Sequence, residues 1–178
     1  MKIFPKILLV TFIASTSSIA LADIMGQVEV KLNISTGCEV NGAEVDGEVN
    51  KFGTLDFGKT SGTWSNVIRS ELRSTEVNST SSIRVKCDGV SEVPFSVSVD
   101  GGLNGNRTLK HVTEADTVAY KLYRDVARTN AYEINTVQKF TALVGEATPV
   151  GIYGTILPNA TEKAQGDYKD TLLVNVSF

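Results

Sequence analysis

A strand-like pattern occurs close to the beginning of the chain and another at its end. Apolar and polar side chains alternate from residue 24 to residue 34, and again from residue 172 to residue 178. A period of two is typical of a strand that buries one face. Exported termini are usually frayed and polar, so apolar strands at both ends indicate a segment that is donated and a sheet edge that receives one. The alternative is a sandwich whose first and last strands pair with each other.

The first 22 residues have the pattern of a cleaved signal peptide. Lys2 and Lys6 precede the apolar run 7–13, and the small-residue site Ala20-Leu21-Ala22 follows. That run is too short to span a bilayer, and no later stretch reaches the roughly 18 to 20 apolar residues of a membrane helix. We therefore expect an exported mature chain of 156 residues, the full 178 without the leader, that forms one domain.

The charge of the mature chain argues against two classes of partner. Without the two leader lysines, 15 Lys and Arg stand against 20 Asp and Glu, a net charge of about −5 with no basic cluster. Nucleic acid and anionic membrane surfaces attract basic patches, so neither is expected as a partner.

Two cysteines, Cys38 and Cys87, are present in a chain that is predicted to be exported. The exported compartment is oxidising and the count is even, which favours a disulfide. Closing that loop would stabilise the fold by about 4 kcal/mol on the chain-entropy model. The alternative, a metal site, lacks the close spacing of cysteine and histidine ligands, so no metal or cofactor is predicted.

The mature chain has an all-β pattern, because short alternating segments recur between Gly, Asn, Asp and Ser clusters. Several strands spaced in this way predict a single sandwich domain. A short helix over 113–119 is an alternative for one segment, and the region 44–82 is the least regular. The clearest predicted strands are 82–87, 93–99, 117–123, 139–144, 150–156 and 168–178.

No group of residues predicts catalysis. His111, the single histidine, has no acid or nucleophile near it in sequence, so we expect a surface histidine. Asp125, Asp167 and Asp170 lie in turn-like settings, where Asp usually bonds its own backbone rather than forming a carboxylate pair. The tyrosines offer the alternative of a sugar-binding platform, against packing in strands, and are Tyr120, Tyr123, Tyr132 and Tyr153.

Several separated motifs resemble the spore coat protein U domain family and, within it, the major pilin subunit of archaic, Csu-type chaperone-usher fimbriae. The resemblance covers nearly the whole mature chain and rests on the order and number of the motifs. The tip adhesins of such systems carry two domains, so a shaft subunit is the better match and a minor subunit the alternative. The matching segments are 26–38, 52–58, 85–89, 99–102, 106–109, 119–125 and 166–172.

The resemblance implies an incomplete immunoglobulin-like β-sandwich that is completed by a donor strand from a neighbouring subunit or by a chaperone strand. It divides the chain into a signal peptide (1–22), an N-terminal donor strand (23–35) and a pilin domain (36–178), and it matches Cys38 and Cys87 to the family's disulfide. The implied donor residues are Ile24, Gly26, Val28, Val30 and Leu32. The implied edge of the acceptor groove consists of Leu172, Val174, Val176 and Phe178.

The resemblance also implies a function and its partners. The chain is expected to be a structural subunit without enzymatic activity that polymerises head to tail into a fimbria used for surface attachment and biofilm formation. Its expected partners are identical or related subunits, a periplasmic chaperone and an outer-membrane usher, along a route through the periplasm to the cell surface. The alternative is a secreted carbohydrate-binding or coat protein that does not polymerise through a usher.

Overall fold

The computed structural model describes residues 31–32, 37–41, 44–46, 49–74, 83–89 and 91–178. The chain divides into two units, Met1–Ile34 and Ser35–Phe178. Of the first unit only Lys31 and Leu32 are described, so the predicted signal peptide and most of the predicted donor strand lie outside the described residues. No helix in the described ranges is long and apolar enough to cross a membrane.

The described part of the second unit is all-β, with short strands and no helix. Its strands are β1 (Cys38–Asn41), β2 (Glu44–Asp46), β3 (Val49–Lys51), β4 (Thr54–Leu55), β5 (Ile68–Arg73), β6 (Ile83–Cys87), β7 (Val93–Val99), β8 (Thr108–His111), β9 (Thr117–Ala119), β10 (Lys121–Tyr123), β11 (Gln138–Ala142), β12 (Ala147–Val150), β13 (Tyr153–Ile156), β14 (Tyr168–Lys169) and β15 (Val174–Ser177).

All pairings between these strands are antiparallel. The larger sheets have the orders β1-β6-β12, β10-β13-β5-β4, β11-β7-β15 and β14-β8-β9, and β2 pairs with β3 in a hairpin. The C-terminal strand β15 therefore lies beside β7, far from it in sequence, at the edge of its sheet.

The centre of the core is formed by β6 and β7. On both strands buried residues alternate with residues that are half-buried or exposed, as the alternation in the sequence predicts. The buried members are Ile83, Val85, Cys87, Phe95, Val97 and Val99.

The disulfide joins the first residue of β1 to the last residue of β6. Cys38 lies directly opposite Cys87 in the antiparallel pair, and the two sulfur atoms are bonded. Cys87 is buried, so the bond ties β1, an edge strand of its sheet, to a strand of the core.

Three predicted strands are divided in the structure because the chain changes sheets. Segment 117–123 forms β9, which pairs with β8, and then β10, which pairs with β13. Segment 150–156 forms the end of β12, which pairs with β6, and then β13, which pairs with β5. Gly151 lies at the change, where a Cβ atom would collide with the ring of Tyr153 and approach the carbonyl of Arg124. Changing sheets at such a point is how strands turn the corners of a sandwich.

Segment 168–178 is interrupted between β14 and β15, where aspartate side chains take over hydrogen bonds to the backbone. The alternative of a helix over 113–119 is wrong. Residues 117–119 instead form β9, which pairs with β8 and places Val118 opposite Leu109.

Candidate functional site

The C-terminal strand β15 has a partner on one side only. It pairs with β7 in the register Val174 to Val99 and Val176 to Val97, and in the described part of the chain no strand pairs with its other edge. Val174 and Val176 pack against the core but remain half-buried, whereas Val97 and Val99 on β7 are fully buried. The inward face of β15 is therefore less covered than that of the strand beside it.

The hydrogen bonds of Leu173 fix which backbone groups of β15 point toward this edge. The amide of Leu173 donates to the Asp100 carboxylate at 2.9 Å, and its carbonyl accepts from the Asp100 amide at 3.1 Å. Both groups of Leu173 thus face β7. Successive residues of a strand direct their backbone groups to opposite sides, so the amides and carbonyls of Val174 and Val176 face the open edge.

A groove of about 780 Å³ runs along this edge, and we call it the C-terminal groove. Most of its lining comes from two segments, 50–55 and 170–176, that belong to different sheets. The buried side chains of Leu72 and Ile152 form its floor, and Val40 of β1 contributes to one side. Within the described residues, β1, β4 and β15 are each edge strands, so the groove lies among sheet edges.

Two side chains that line the C-terminal groove, where the chain approaches β15, are joined by a hydrogen bond. The Tyr120 hydroxyl donates to Oδ2 of Asp170 at 2.6 Å. Tyr120 is only 6% exposed, and burial, together with the hydrogen bond to Asp170, raises the pKa of its phenol well above the usual range. Oδ1 of Asp170 accepts from the amides of Leu103 and Thr171, both at 2.9 Å. We call the Tyr120–Asp170 pair the clamp.

A buried arginine supports the same end of the groove. The Arg107 guanidinium donates to three backbone carbonyls, those of Val99 at 3.0 Å, Asp100 at 3.1 Å and Tyr132. Burial lowers the pKa of Arg107 from its ordinary value. The Val99 carbonyl also accepts from the amide of Asn135. Because these charge-assisted hydrogen bonds join the end of β7 to Tyr132, Arg107 stabilises the loop that follows β7.

The predicted site residues fall in different places. Leu172, Val174 and Val176 line the C-terminal groove, whereas Phe178 is 59% exposed and packs beside Phe95, with ring centroids 6.1 Å apart. Of the predicted donor residues only Leu32 is described, and it is 83% exposed. The remaining four lie outside the described residues and are Ile24, Gly26, Val28 and Val30.

The prediction of a surface histidine is wrong. His111 is buried, its Nδ1 accepts from the amides of Thr113 at 3.1 Å and Glu114 at 2.9 Å, and its Nε2 lies 3.0 Å from the carbonyl of Gln165. An Nδ1 that accepts two amides leaves Nε2 as the donor. The ring therefore joins two loops through both of its nitrogen atoms.

Two of the three carboxylates considered for catalysis, Asp125 and Asp170, accept hydrogen bonds from backbone amides. Asp125 accepts from the amides of Thr129 and Asn130, and these hydrogen bonds lower its pKa to about 2. Asp170 belongs to the clamp. No group of three or more metal-ligating side chains occurs in the part of the chain that the structure describes.

Two of the four tyrosines of the sugar-binding alternative are too buried to form an exposed platform. Tyr120 and Tyr132 are buried in the core, and the Tyr132 hydroxyl donates to the carbonyl of Gly151 at 3.3 Å. Tyr153 packs under the guanidinium of Arg128, 5.7 Å from the ring centroid. Packing thus accounts for three of the four candidates.

Sequence reasoning missed one side of the C-terminal groove. Leu55 and Phe57 pack over Gly154 of β13, where a Cβ atom would lie 2.8 Å from Leu55 and 2.6 Å from Phe57. The available signal was the apolar alternation of Phe52, Leu55 and Phe57 within the irregular region, but a two-residue strand such as β4 is too short to be recognised from it.

Comparison with known proteins gives a family and one structural likeness of note. A family model, the Spore Coat Protein U domain, matches residues 24–175, and no curated protein matches the chain. A similar solved structure is the CsuC-CsuE chaperone-tip adhesion subunit pre-assembly complex from archaic chaperone-usher Csu pili of Acinetobacter baumannii, with 17% identity and a TM-score of 0.43. That match covers 82% of this chain and 40% of the matched chain, so this chain spans less than half the length of the matched chain. Because the family model covers most of the sequence, the chain belongs to the Spore Coat Protein U domain family.

Proposed function

We propose that this protein is a fibre-forming pilin subunit whose C-terminal groove receives the N-terminal segment of another copy. In this proposal residues 23–35 are the donor strand and residues 36–178 the acceptor domain. The donor places Ile24, Gly26, Val28, Val30 and Leu32 into the groove. The sandwich is incomplete until the strand is inserted.

The observation that carries the proposal is the state of β15. Its inward side chains, Val174 and Val176, are only half-buried, and they line a groove on the side to which their backbone groups point. An extended segment adding to such an edge would gain backbone hydrogen bonds, each contributing about 0.5–1.5 kcal/mol, and would cover the apolar floor.

The pairing of a donor segment with a groove on a different copy is head to tail. Such a contact does not close on itself, so it propagates as a fibre. The subunit then has a mechanical role in a surface fimbria that supports attachment and biofilm formation. No reaction or cofactor is required.

An exposed groove also demands protection before assembly. Apolar lining and unpaired backbone groups at a sheet edge promote aggregation. We therefore include in the proposal a periplasmic chaperone, which lends a strand to the groove, and an outer-membrane usher, at which the donor strand replaces it.

The test compares two charged substitutions on opposite faces of the donor segment. Val28→Asp places a carboxylate on the face that enters the groove and is expected to abolish fibres, because a charge cannot be buried there without a partner. Gln27→Asp adds the same charge on the other face and should leave fibres intact. Electron microscopy and gel analysis of heat-resistant polymers provide the measurement, and formation of the Cys38–Cys87 disulfide verifies folding.

Intact fibres from Val28→Asp would contradict the proposal. Size-exclusion chromatography of the mature protein separates it from the carbohydrate-binding and coat-protein alternatives, since a stable, well-folded monomer that tolerates deletion of residues 23–35 would favour one of those.

A further inference from the structure

The donor segment by itself does not define its position along the groove. Its aliphatic side chains occupy every second position from Val28 to Ile34, and Ile24 and Gly26 precede them on the same face. Because side chains alternate between faces, a shift by one residue would expose them, whereas a shift by two residues returns an apolar face to the groove. The pattern therefore permits several registers that differ by two residues.

The receiving strand does not resolve this ambiguity either. Leu172, Val174 and Val176 present similar aliphatic side chains at the same two-residue interval. Their outward backbone groups also repeat at that interval, so the hydrogen-bond ladder is equally good after a shift by two. A single register requires a feature that occurs only once along the groove.

The clamp is such a feature. Tyr120 and Asp170 line the groove at the end where the chain enters β15, and beyond them the strand is replaced by the turn from β14. The Tyr120 ring packs beside Phe57, with centroids 6.2 Å apart, and its hydroxyl reaches Asp170 at 2.6 Å. Side chains from both sides of the groove thus meet at this end.

The clamp is held from outside the groove. The Asp170 carboxylate accepts hydrogen bonds from the amides of Leu103 and Thr171. The carboxylate also lies against Gly102, where a Cβ atom would collide with it. Gly102 also has a φ of +74°, which favours glycine. Three contacts therefore fix one carboxylate, and the carboxylate fixes the tyrosine.

We propose that the Tyr120–Asp170 clamp is a stop that fixes the register of the inserted N-terminal strand. The inference rests on the proposed function. Tyr120 and Asp170 are positioning residues in this role, because they limit how far the donor slides rather than supply its binding energy.

The test removes the stop and retains the groove. Tyr120→Leu removes the ring, and Tyr120→Phe removes only the hydroxyl that bonds Asp170. Tyr132→Leu is the matched control, since Tyr132 is also buried but does not line the C-terminal groove. Thermal unfolding of the subunits shows whether the two Leu variants are destabilised to a similar extent.

Register is measured in polymers of the mature chain that carry a photo-crosslinking amino acid in place of Glu29. Mass spectrometry then maps the attachment point on the acceptor subunit. The unchanged protein and Tyr132→Leu are expected to attach at one main position on β15 or its neighbours. In Tyr120→Leu the ratio of that position to the next one, two residues away, falls about tenfold or more, because the ring no longer excludes the shifted strand by overpacking.

The outcomes separate this inference from the function on which it rests. The absence of any crosslink between subunits of the unchanged protein overturns the proposed function. A crosslink that remains at the single position in Tyr120→Leu, or in Tyr120→Phe where the Leu variant does not fold, overturns the stop and leaves the proposed function intact.

Discussion

The adjacent strands β7 and β15 have the same alternating pattern but reach different degrees of burial. Val97 and Val99 on β7 are fully buried, and β7 has a strand on each side. Val174 and Val176 lie opposite them in the ladder, yet they are half-buried, and in the described residues β15 has a strand on one side only.

The difference shows what an isolated subunit lacks. Both strands contribute an apolar face, so the pattern alone gives no reason for unequal burial. The groove beside β15 accounts for it, because an added strand would give β15 the second neighbour that β7 already has. Unequal burial within one register pair thus supports the proposal that the donor strand is added beside β15.

The largest effect is expected from a charge on the complete strand. Val97→Asp buries a carboxylate without a partner and should destabilise the subunit by about 5 kcal/mol or more. Ser98→Asp, one residue along on the other face of β7, should change stability by about 1 kcal/mol at most. Urea unfolding followed by circular dichroism measures both. Equal losses of stability in the two variants would show that the two faces of β7 do not differ in how they tolerate a charge.

A second test concerns the disulfide, which attaches the edge strand β1 to the core covalently. β1 is bonded to β6 through Cys38 and Cys87, whereas β15 is held by hydrogen bonds of Asp100 and Asp170. Replacing both cysteines by serine should cost about 4 kcal/mol, the entropy of the closed loop. The measurement is the urea midpoint of the oxidised protein and of the double variant. A loss below about 1 kcal/mol would show that β1 needs no covalent tie.

A milder substitution tests whether the inward side chains of β15 become as buried as those of β7 when the fibre assembles. Val176→Thr retains the shape but adds a hydroxyl, which should cost about 1 kcal/mol in the half-buried subunit and about twice that in the fibre, where the site is closed. Urea midpoints of subunit unfolding and of fibre dissociation provide the two values. Equal costs in both states would mean that assembly does not cover β15.

The smallest effect that we expect is a pH dependence of the subunit's stability that comes from Tyr120 in the clamp. The pKa of Tyr120 is raised by burial and by Asp170, so its contribution to stability is complete below the unfolded pKa of 10.0 and is lost as the pH rises above that value. Tyr132 behaves in the same direction, with its pKa raised to about 12 by burial. Unfolding midpoints between pH 8 and pH 11.5 should fall less steeply in Tyr120→Phe than in the unchanged protein. Parallel curves would show that Tyr120 does not contribute to the pH dependence of stability in this range.

The sequence predicted the parts of the fold that depend on alternation along one strand. β7 has the predicted bounds, 93–99, and β6 covers residues 83–87 of the predicted strand 82–87, whose first residue lies outside the described residues. The period of two fixes which residues face inward, so the buried positions of both strands followed from it. The same pattern did not show that 150–156 changes sheets, since burial continues through Ile152 while the partner strand changes.

The clamp and the buried histidine were beyond sequence reasoning for a different reason. Tyr120 and Asp170 are 50 residues apart, and Asp170 and Leu103 are 67 apart, so each pair is brought together only by the complete fold. His111 was expected at the surface because no acid or nucleophile was recognised near it in sequence, but its Nε2 partner, Gln165, lies 54 residues away. Tertiary hydrogen bonds of this kind leave no local pattern.

The disulfide has a mechanical consequence for any force transmitted along the chain. Cys38 is the first residue of β1, directly after the N-terminal segment, and its sulfur is bonded to Cys87 at the end of buried β6. Tension on that segment would therefore pass through a covalent bond into the middle of a sheet, and it would bypass the ladder between β1 and β6, which could otherwise be peeled apart one hydrogen bond at a time.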